Sequence, residues 1–587
     1  MTSMTHHYFV TEPVPEFEAL DTELPVIRDD KKVSGYIRME QKRGLIGIYE
    51  KENPNSVWHD HCPWDYENWL FDADYDRVMP YLEESLNRMP IFAELGIQRE
   101  VHGAISHPPD GNPLIGPAPG VRNYWCCCGT QIGIGWGPGL TRELARWMVH
   151  GAADISMRDY DPRRFGSYAT KDWQVVKAEE DYCLRHEIPF PHFNRLAGRP
   201  IKPSPLHELL KSKGAVHEEV YGFERPRFFA RGIAQEDHYS FNRTPVDDLV
   251  AAEVKGVRER VGIMDVTAFT KVMVSGTGAY ALLDRLTANR MPQKVGSITL
   301  THMLNRAGRI ELETTVVRMA DDQFYLVCAA FFERRLLDHL AQQRDAEDVT
   351  ITALSSDWSA LSLNGPKARD VLAACTDADL SHAGFRWLSA QQITVAGHDI
   401  WAFRMSYAGE LGWELHPPIE HLETIYDALW EAGEEFGIAD FGLYAVDSLR
   451  MEKAYRHWGG ELTNEVTMID ADMERYLKLD KDNFIGKEAT LRQQQQERFF
   501  QLIYFEIEAT DSDVHGGEPI YIGDKCIGIT TSGDYGHCVK KSLGFGYVDP
   551  NNSLPGTELY IDLLGHRCRA TVLKDPVYDP DNERLKG

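Results

Sequence analysis

The 587 residues predict a multidomain α+β protein. The chain is longer than one hydrophobic core ordinarily serves. Its 43% hydrophobic and 26% charged residues are a globular composition. Strand-like runs closed by glycine also alternate with amphipathic stretches such as Ala279 to Ala288, where Leu282, Leu283 and Leu286 share one face.

Charge and cysteine usage narrow the function classes. A formal net charge of -28 argues against a phosphate-backbone partner, so no nucleic acid is expected. No uninterrupted apolar run reaches the roughly 18 residues of a spanning helix, and the N-terminus lacks a basic-then-apolar signal. Ten cysteines without CxxC spacing suit a reduced, cytoplasmic setting. Cys126, Cys127 and Cys128 read as a buried strand of small apolar residues.

Residues 1–165 begin with a β-rich run through Tyr36 and Tyr49. A glycine-rich loop, 129–139, then feeds a helix with Leu140, Leu144, Trp147 and Met148 at helical spacing. Such a loop at a helix N-terminus suits an anionic or flat cofactor. His59, Asp60, His61 and Cys62 are nearly consecutive, which suits a metal site badly because strand neighbours point to opposite faces. Residues 166–230, rich in proline, histidine and aromatics, read as structural. Gly276 and Gly278 fit G-x-G-x-x-A between a strand and a helix, but no acidic residue ends a strand about 20 positions later, so no dinucleotide is expected there.

The stretch Ser406 to Leu415 is a glycine-broken turn between a strand at Ile400 to Met405 and a short second strand. It gathers Tyr407, Glu410 and Glu414. Read alone it is either an exposed charged turn or a place where backbone and carboxylates meet a flat heterocycle.

With Leu304 to Val316 and Ala445 to Lys453, that stretch resembles the folate-binding T protein of the glycine cleavage system. The likeness is nearest to the T-protein-like half of dimethylglycine and sarcosine dehydrogenases and dimethylglycine oxidase. The resemblance implies four parts: the second half of an FAD-dependent amine oxidoreductase domain (1–165), a connector (166–230), a tetrahydrofolate-binding domain (231–494) and a β-barrel-like domain (495–587). Glu313 takes the place of the family's aspartate near the reactive folate nitrogens, with Thr315 beyond it. Tyr407 and Glu414 become pterin partners, with Glu410 beside them as a further contact or a shaper of the turn. The family arginine that reaches the folate tail is replaced by Val446. His6, in His6-His7-Tyr8, and Tyr36 would shape the amine pocket, and Gly133, Ile134 and Gly135 would lie against the flavin.

The same resemblance leaves the flavin domain without its Rossmann half, since no strand, G-x-G-x-x-G and helix precede His6. A partner chain or an upstream stretch would then supply that half. The expected function is oxidative N-demethylation of a small methylated amine, dimethylglycine-like or sarcosine-like, coupled to formation of methylene-tetrahydrofolate. The alternatives are a redox-neutral folate-dependent methyl- or aminomethyltransferase, or a non-catalytic subunit.

Overall fold

The computed structural model describes residues 1–230 and 239–587. The expected start of the folate-type domain at residue 231 lies outside the described residues. Two compact units emerge: one comprises Met1–Ala145, Asp159–Pro162 and Ser167–Arg199, the other Arg146–Arg158, Arg163–Gly166 and Pro200–Gly587.

The smaller unit is built on the strand Thr2–Pro13, whose two faces are both covered. It pairs antiparallel with Ser56–Val57 and then Arg43–Ile48 along one edge and with Ile97–His107 along the other. Phe9, Ile37, Ile46 and Ile48 meet Val78, Leu82 and Phe92 on one face of this sheet. On the other face Met4 and Tyr49 pack with Ala178 and Tyr182 of the helix Lys171–Cys183. Tyr36 stands opposite Gly47 in the ladder, and a Cβ there would lie 2.0 Å from its ring. Only glycine leaves room for the Tyr36 ring to lie across the neighbouring strand.

Two expectations are corrected here. The helix begins at Gly133 rather than after residue 139, and runs to His150. Pro138 removes one backbone donor inside it, while the Thr141 hydroxyl donates to the Gly137 carbonyl at 2.7 Å. Leu140 and Leu144 are buried, but Met148 is 51% exposed and lies off the apolar face. The cysteine triplet does form a strand, Trp125–Cys128, yet this belongs to a two-stranded ribbon with Leu114–Pro117. No third strand joins this ribbon among the described residues, and Cys127 is exposed while Cys126 and Cys128 are half-buried.

The larger unit contains a two-stranded ribbon of Ala215–Val220 and Phe223–Phe229, two larger sheets and a barrel. A five-stranded sheet runs Ile298–Leu304, Ile310–Ala320, Gln323–Cys328, Thr270–Ser275, Thr350–Ala353. A six-stranded sheet runs Ala390–Val395, His398–Phe403, Gly412–His416, Leu361–Asn364, Gly262–Asp265, Ala439–Asp440. The helix Ala279–Leu286 buries Leu282, Leu283 and Leu286 fully, as its spacing predicts. Gly276, at φ 120°, turns the chain where a Cβ would meet the Asp348 carbonyl at 2.4 Å. That glycine therefore serves a turn packed against backbone.

Six strands between Gln501 and Leu573 close a barrel around Ile503, Phe505, Ile520, Leu559 and Ile561. Beyond it the chain returns to the six-stranded sheet. Tyr578 N–H donates to the Glu452 carbonyl at 3.1 Å, and Lys453 Nζ donates to Asp579 Oδ2 (3.2 Å) and Asn582 Oδ1 (2.9 Å). Tyr578 also donates its hydroxyl hydrogen to Glu410, and Arg404 donates to the Lys586 carbonyl.

Candidate functional site

Two groups of residues in the structure have the chemistry of a site, one in each unit. The first surrounds His6. Strand alternation places its ring on the face covered by the helix Lys171–Cys183, among Tyr36, Tyr49 and Tyr182. Tyr182 directs its single hydrogen to Glu50 Oε2 at 2.6 Å, the strongest acceptor in reach. Its oxygen therefore accepts from His6 Nδ1 at 3.3 Å, which leaves His6 Nε2 as the acceptor facing the Tyr36 hydroxyl, also at 3.3 Å. Glu50 is held ionised below its usual range, against its burial, by bonds from His7 and Tyr182 and by Arg77. Burial pushes His6 down from 6.5 to about 4, against the pull of Glu50, so the ring is neutral at pH 7. The outcome is a desolvated, neutral imidazole with a fixed tautomer, whose acceptor nitrogen faces the Tyr36 hydroxyl.

This depression has a measurable consequence. Unfolded, His6 binds a proton near pH 6.5; folded, it does so only near 4. Between these values the unfolded chain holds more protons, so stability rises with pH through the window and is lost on acidification. Going from pH 7 to 4.5, His6 contributes a loss of roughly 2–3 kcal/mol. Thermal unfolding of wild type and His6→Gln at the two pH values checks this: the variant should show the smaller acid sensitivity, and equal sensitivities would refute the assignment.

Gly133, Ile134 and Gly135 stand exposed at the start of the helix Gly133–His150, with Ile134 96% exposed. One and two turns on, Gly137 and Gly139 would meet no atom within 4 Å on gaining a Cβ. An open glycine surface at a helix N-terminus fits a flat, anionic cofactor such as FAD. Arg185, adjoining the aromatic group, lies over Trp136 of this helix at 5.4 Å.

The second group lies in the larger unit. On the strand Ile310–Ala320, Glu313 and Thr315 share a face with Val317 and Met319. Val317 and Met319 pack with Ala390 and Phe403 of the six-stranded sheet, so Glu313 and Thr315 continue the surface that faces it. Directly across the ladder from Glu313 stands His302, wholly buried, whose Nε2 lies 2.8 Å from Glu313 Oε2. His302 Nδ1 is buried without a partner among the described residues. The proton therefore belongs on Nε2, which donates to the carboxylate, because the opposite tautomer would bury an unbonded N–H.

From the facing sheet, Glu414 approaches His416 Nε2 at 3.5 Å, and His416 Nδ1 reaches the Tyr325 hydroxyl at 3.2 Å. Tyr407, in the turn that follows Met405, is 40% exposed and stacks beside Tyr455 at 5.8 Å. Its hydroxyl donates to the Arg456 carbonyl at 2.9 Å. Desolvation raises its pKa; Glu313, Asp447 and Glu461 add to this, and Arg450 opposes it. Glu313 and Tyr407 thus belong to one electrostatic neighbourhood. Next to Tyr407, the Ser406 hydroxyl is buried without a partner among the described residues. Two carboxylates, an orphan hydroxyl and an exposed aromatic face match the donor edge and ring of a pterin, so the residues present fit tetrahydrofolate.

Glu410 is corrected. It is 1% exposed, and its Oε1 accepts from Arg258 at 3.1 Å and from Tyr578. It faces the interior and fixes the turn instead of presenting a carboxylate to a ligand. Arg450 is likewise structural, bonded to Asp447 at 3.3 Å and to Ser532 at 3.2 Å. Sequence reasoning missed Glu50, Tyr182 and His302. For His302 a signal existed: a strand histidine in register with Glu313 across the hairpin. Glu50 and Tyr182 are separated by 132 positions, and no local pattern joins them.

Four family models cover nearly all of the chain. They are an FAD dependent oxidoreductase domain (1–147), its central domain (150–204), the GCVT N-terminal domain (206–481) and the glycine cleavage T-protein C-terminal barrel domain (501–579). Mitochondrial dimethylglycine dehydrogenase of Mus musculus is 35% identical over 593 residues, covering 99% of this chain and 68% of its own. The chain belongs to the dimethylglycine and sarcosine dehydrogenase family. Sarcosine dehydrogenase of the same organism is 30% identical, with 100% of this chain and 68% of its own covered. Among solved structures, the aminomethyltransferase T of the Bartonella henselae glycine cleavage system matches at TM-score 0.57 and 24% identity, covering 65% of this chain and 98% of its own. That match is one of fold. As a member of this dehydrogenase family the chain is an oxidoreductase with an aminomethyltransferase-like domain, and its cofactors are FAD and tetrahydrofolate. No helix among the described residues is long and apolar enough to cross a membrane.

Proposed function

We propose that this protein oxidatively demethylates a small methylated amine at the His6 and Tyr36 group and passes the one-carbon unit to tetrahydrofolate at the Glu313, Thr315, Tyr407 and Glu414 group. The observation that carries the reading is the relay from Glu50 through Tyr182 to His6, which leaves an acceptor nitrogen at Nε2 in a desolvated aromatic enclosure. An N-methyl amine arrives protonated and must lose that proton before its C–H bond can be oxidised. His6 Nε2 accepts a hydrogen bond from the ammonium N–H, and Tyr36 and Tyr49 exclude water, so that desolvation lowers the amine's own pKa and favours loss of its proton. FAD, when bound, supplies the two-electron acceptor. At the second site Glu313 Oε2 is held by His302, which leaves Oε1 to face the folate nitrogens and the developing cationic one-carbon unit. Tyr407 lies against the pterin face, and Glu414 accepts from its N–H edge.

A strand, glycine loop and helix with an acidic strand end is not found among the described residues. Ten unpaired cysteines support a reducing compartment, consistent with a cytoplasmic enzyme.

A visible absorbance spectrum of the purified protein, with amine oxidation followed with and without tetrahydrofolate, tests the proposal. Flavin bands are expected, together with formaldehyde release that tetrahydrofolate suppresses. A colourless protein that transfers a methyl or aminomethyl group would overturn it in favour of redox-neutral chemistry.

A further inference from the structure

His186 follows the helix Lys171–Cys183 and packs edge-on against Tyr49 at 4.9 Å and against Tyr36 at 6.3 Å, so it belongs to the same enclosure as His6. Arg28 Nε donates to His186 Nδ1 at 3.1 Å. A guanidinium can only donate, so Nδ1 is the unprotonated nitrogen and the ring hydrogen sits on Nε2. This Nε2–H is buried and has no partner among the described residues, in a side chain only 9% exposed. A buried orphan donor is costly to the folded state and calls for an acceptor. Burial, with Arg28 and Arg185 close by, depresses His186 from 6.5 to about 3. The ring stays neutral, with Arg28 and Arg185 on its side of the enclosure and Asp29 opposing them.

We infer that His186 Nε2–H binds the carboxylate of the substrate, so that the enclosure selects N-methylated amino acids over amines that lack a carboxylate. This rests on the proposed amine site at His6 and Tyr36. His6 Nε2 is an acceptor that meets the ammonium end, and His186 Nε2–H is a donor that meets the carboxylate end. Opposite polarities on two neutral imidazoles of one enclosure match the two ends of an amino acid. Arg28 acts through His186, fixing its tautomer.

The test is calorimetric titration of the whole protein with N,N-dimethylglycine and with N,N-dimethylethanolamine, in which a hydroxymethyl group replaces the carboxylate. The wild type should prefer dimethylglycine by about tenfold to a hundredfold, the range of a hydrogen bond to a charged group. His186→Phe should lose most of that preference while keeping the weaker affinity for the alcohol. His186→Gln, which retains a donor, should keep part of it. The ratio between two ligands is insensitive to a general loss of stability. Wild-type preference retained in both variants would overturn the role of His186 and leave the amine site standing. Binding of neither ligand by the wild type would overturn both.

Discussion

Arg258→Ala is expected to destabilise the larger unit by about 3–5 kcal/mol, the cost of leaving buried charge unpaired. Arg258 sits on the helix Val246–Glu259 and is 3% exposed. Its guanidinium donates to Glu452 Oε2 at 2.8 Å, to Glu410 Oε1 at 3.1 Å and to the carbonyls of Ala408 (2.9 Å) and Leu449 (3.2 Å). It also lies over the Tyr578 ring at 3.8 Å. Without it, two carboxylates that are 1% and 0% exposed lose the cation that bonds them both. Burial already raises the pKa of Glu410, against the opposing bonds from Tyr578 and Arg258. Removing the arginine raises it further. A folded-state pKa above the unfolded one gives stability that is lost as pH rises, so the deficit should be larger at pH 8 than at pH 5. Denaturant unfolding followed by tryptophan fluorescence measures it, and a loss under about 1 kcal/mol would show the cluster to be dispensable. Arg258→Lys should recover little, because one ammonium cannot replace the forked donor set.

Glu313→Ala is expected to lower transfer of the one-carbon unit to tetrahydrofolate by about 10²–10⁴-fold while amine oxidation continues. The two activities separate because the residues assigned to them belong to different units. Formaldehyde release at saturating tetrahydrofolate, set against methylene-tetrahydrofolate formed, reads the effect directly. Glu313→Asp withdraws the carboxylate by one methylene and should retain an intermediate rate. His302→Phe removes the donor that fixes Oε2 and should cost about tenfold to a hundredfold in rate with little change in folate affinity, whereas His302→Gln should restore part of it. Unchanged transfer in Glu313→Ala would dismiss the carboxylate from the chemistry.

Much of this was legible in local pattern. The helix Ala279–Leu286 declares itself by three leucines on one face, and the turn after Ser406 by its glycines, although from Gly412 the expected turn is already strand. Alternation along Ile310–Ala320 places Glu313 and Thr315 on one face, as a strand requires. What escaped is non-local. Glu410 reads as one more acidic residue in a turn until Arg258 and Tyr578 converge on it from 152 and 168 positions away. The tautomers of His6 and His186 depend on Tyr182 and Arg28, which no sequence window contains. The early start of the helix at Gly133 was hidden because four glycines and a proline read as loop, while in the structure they continue the helix.

The segment that returns after the barrel also sets an order of events during synthesis. The turn carrying Tyr407 is braced by Tyr578 at Glu410, by Asp579 and Asn582 at Lys453, and by Lys586 at Arg404. All of these residues are translated after the barrel, 126 to 182 positions behind the groups they brace. A nascent chain that has completed both sheets still lacks its brace, and contacts of such separation form slowly. The turn therefore completes its contacts late, after the barrel has emerged, and a chain that stalls before residue 578 holds it through Arg258 without this second brace.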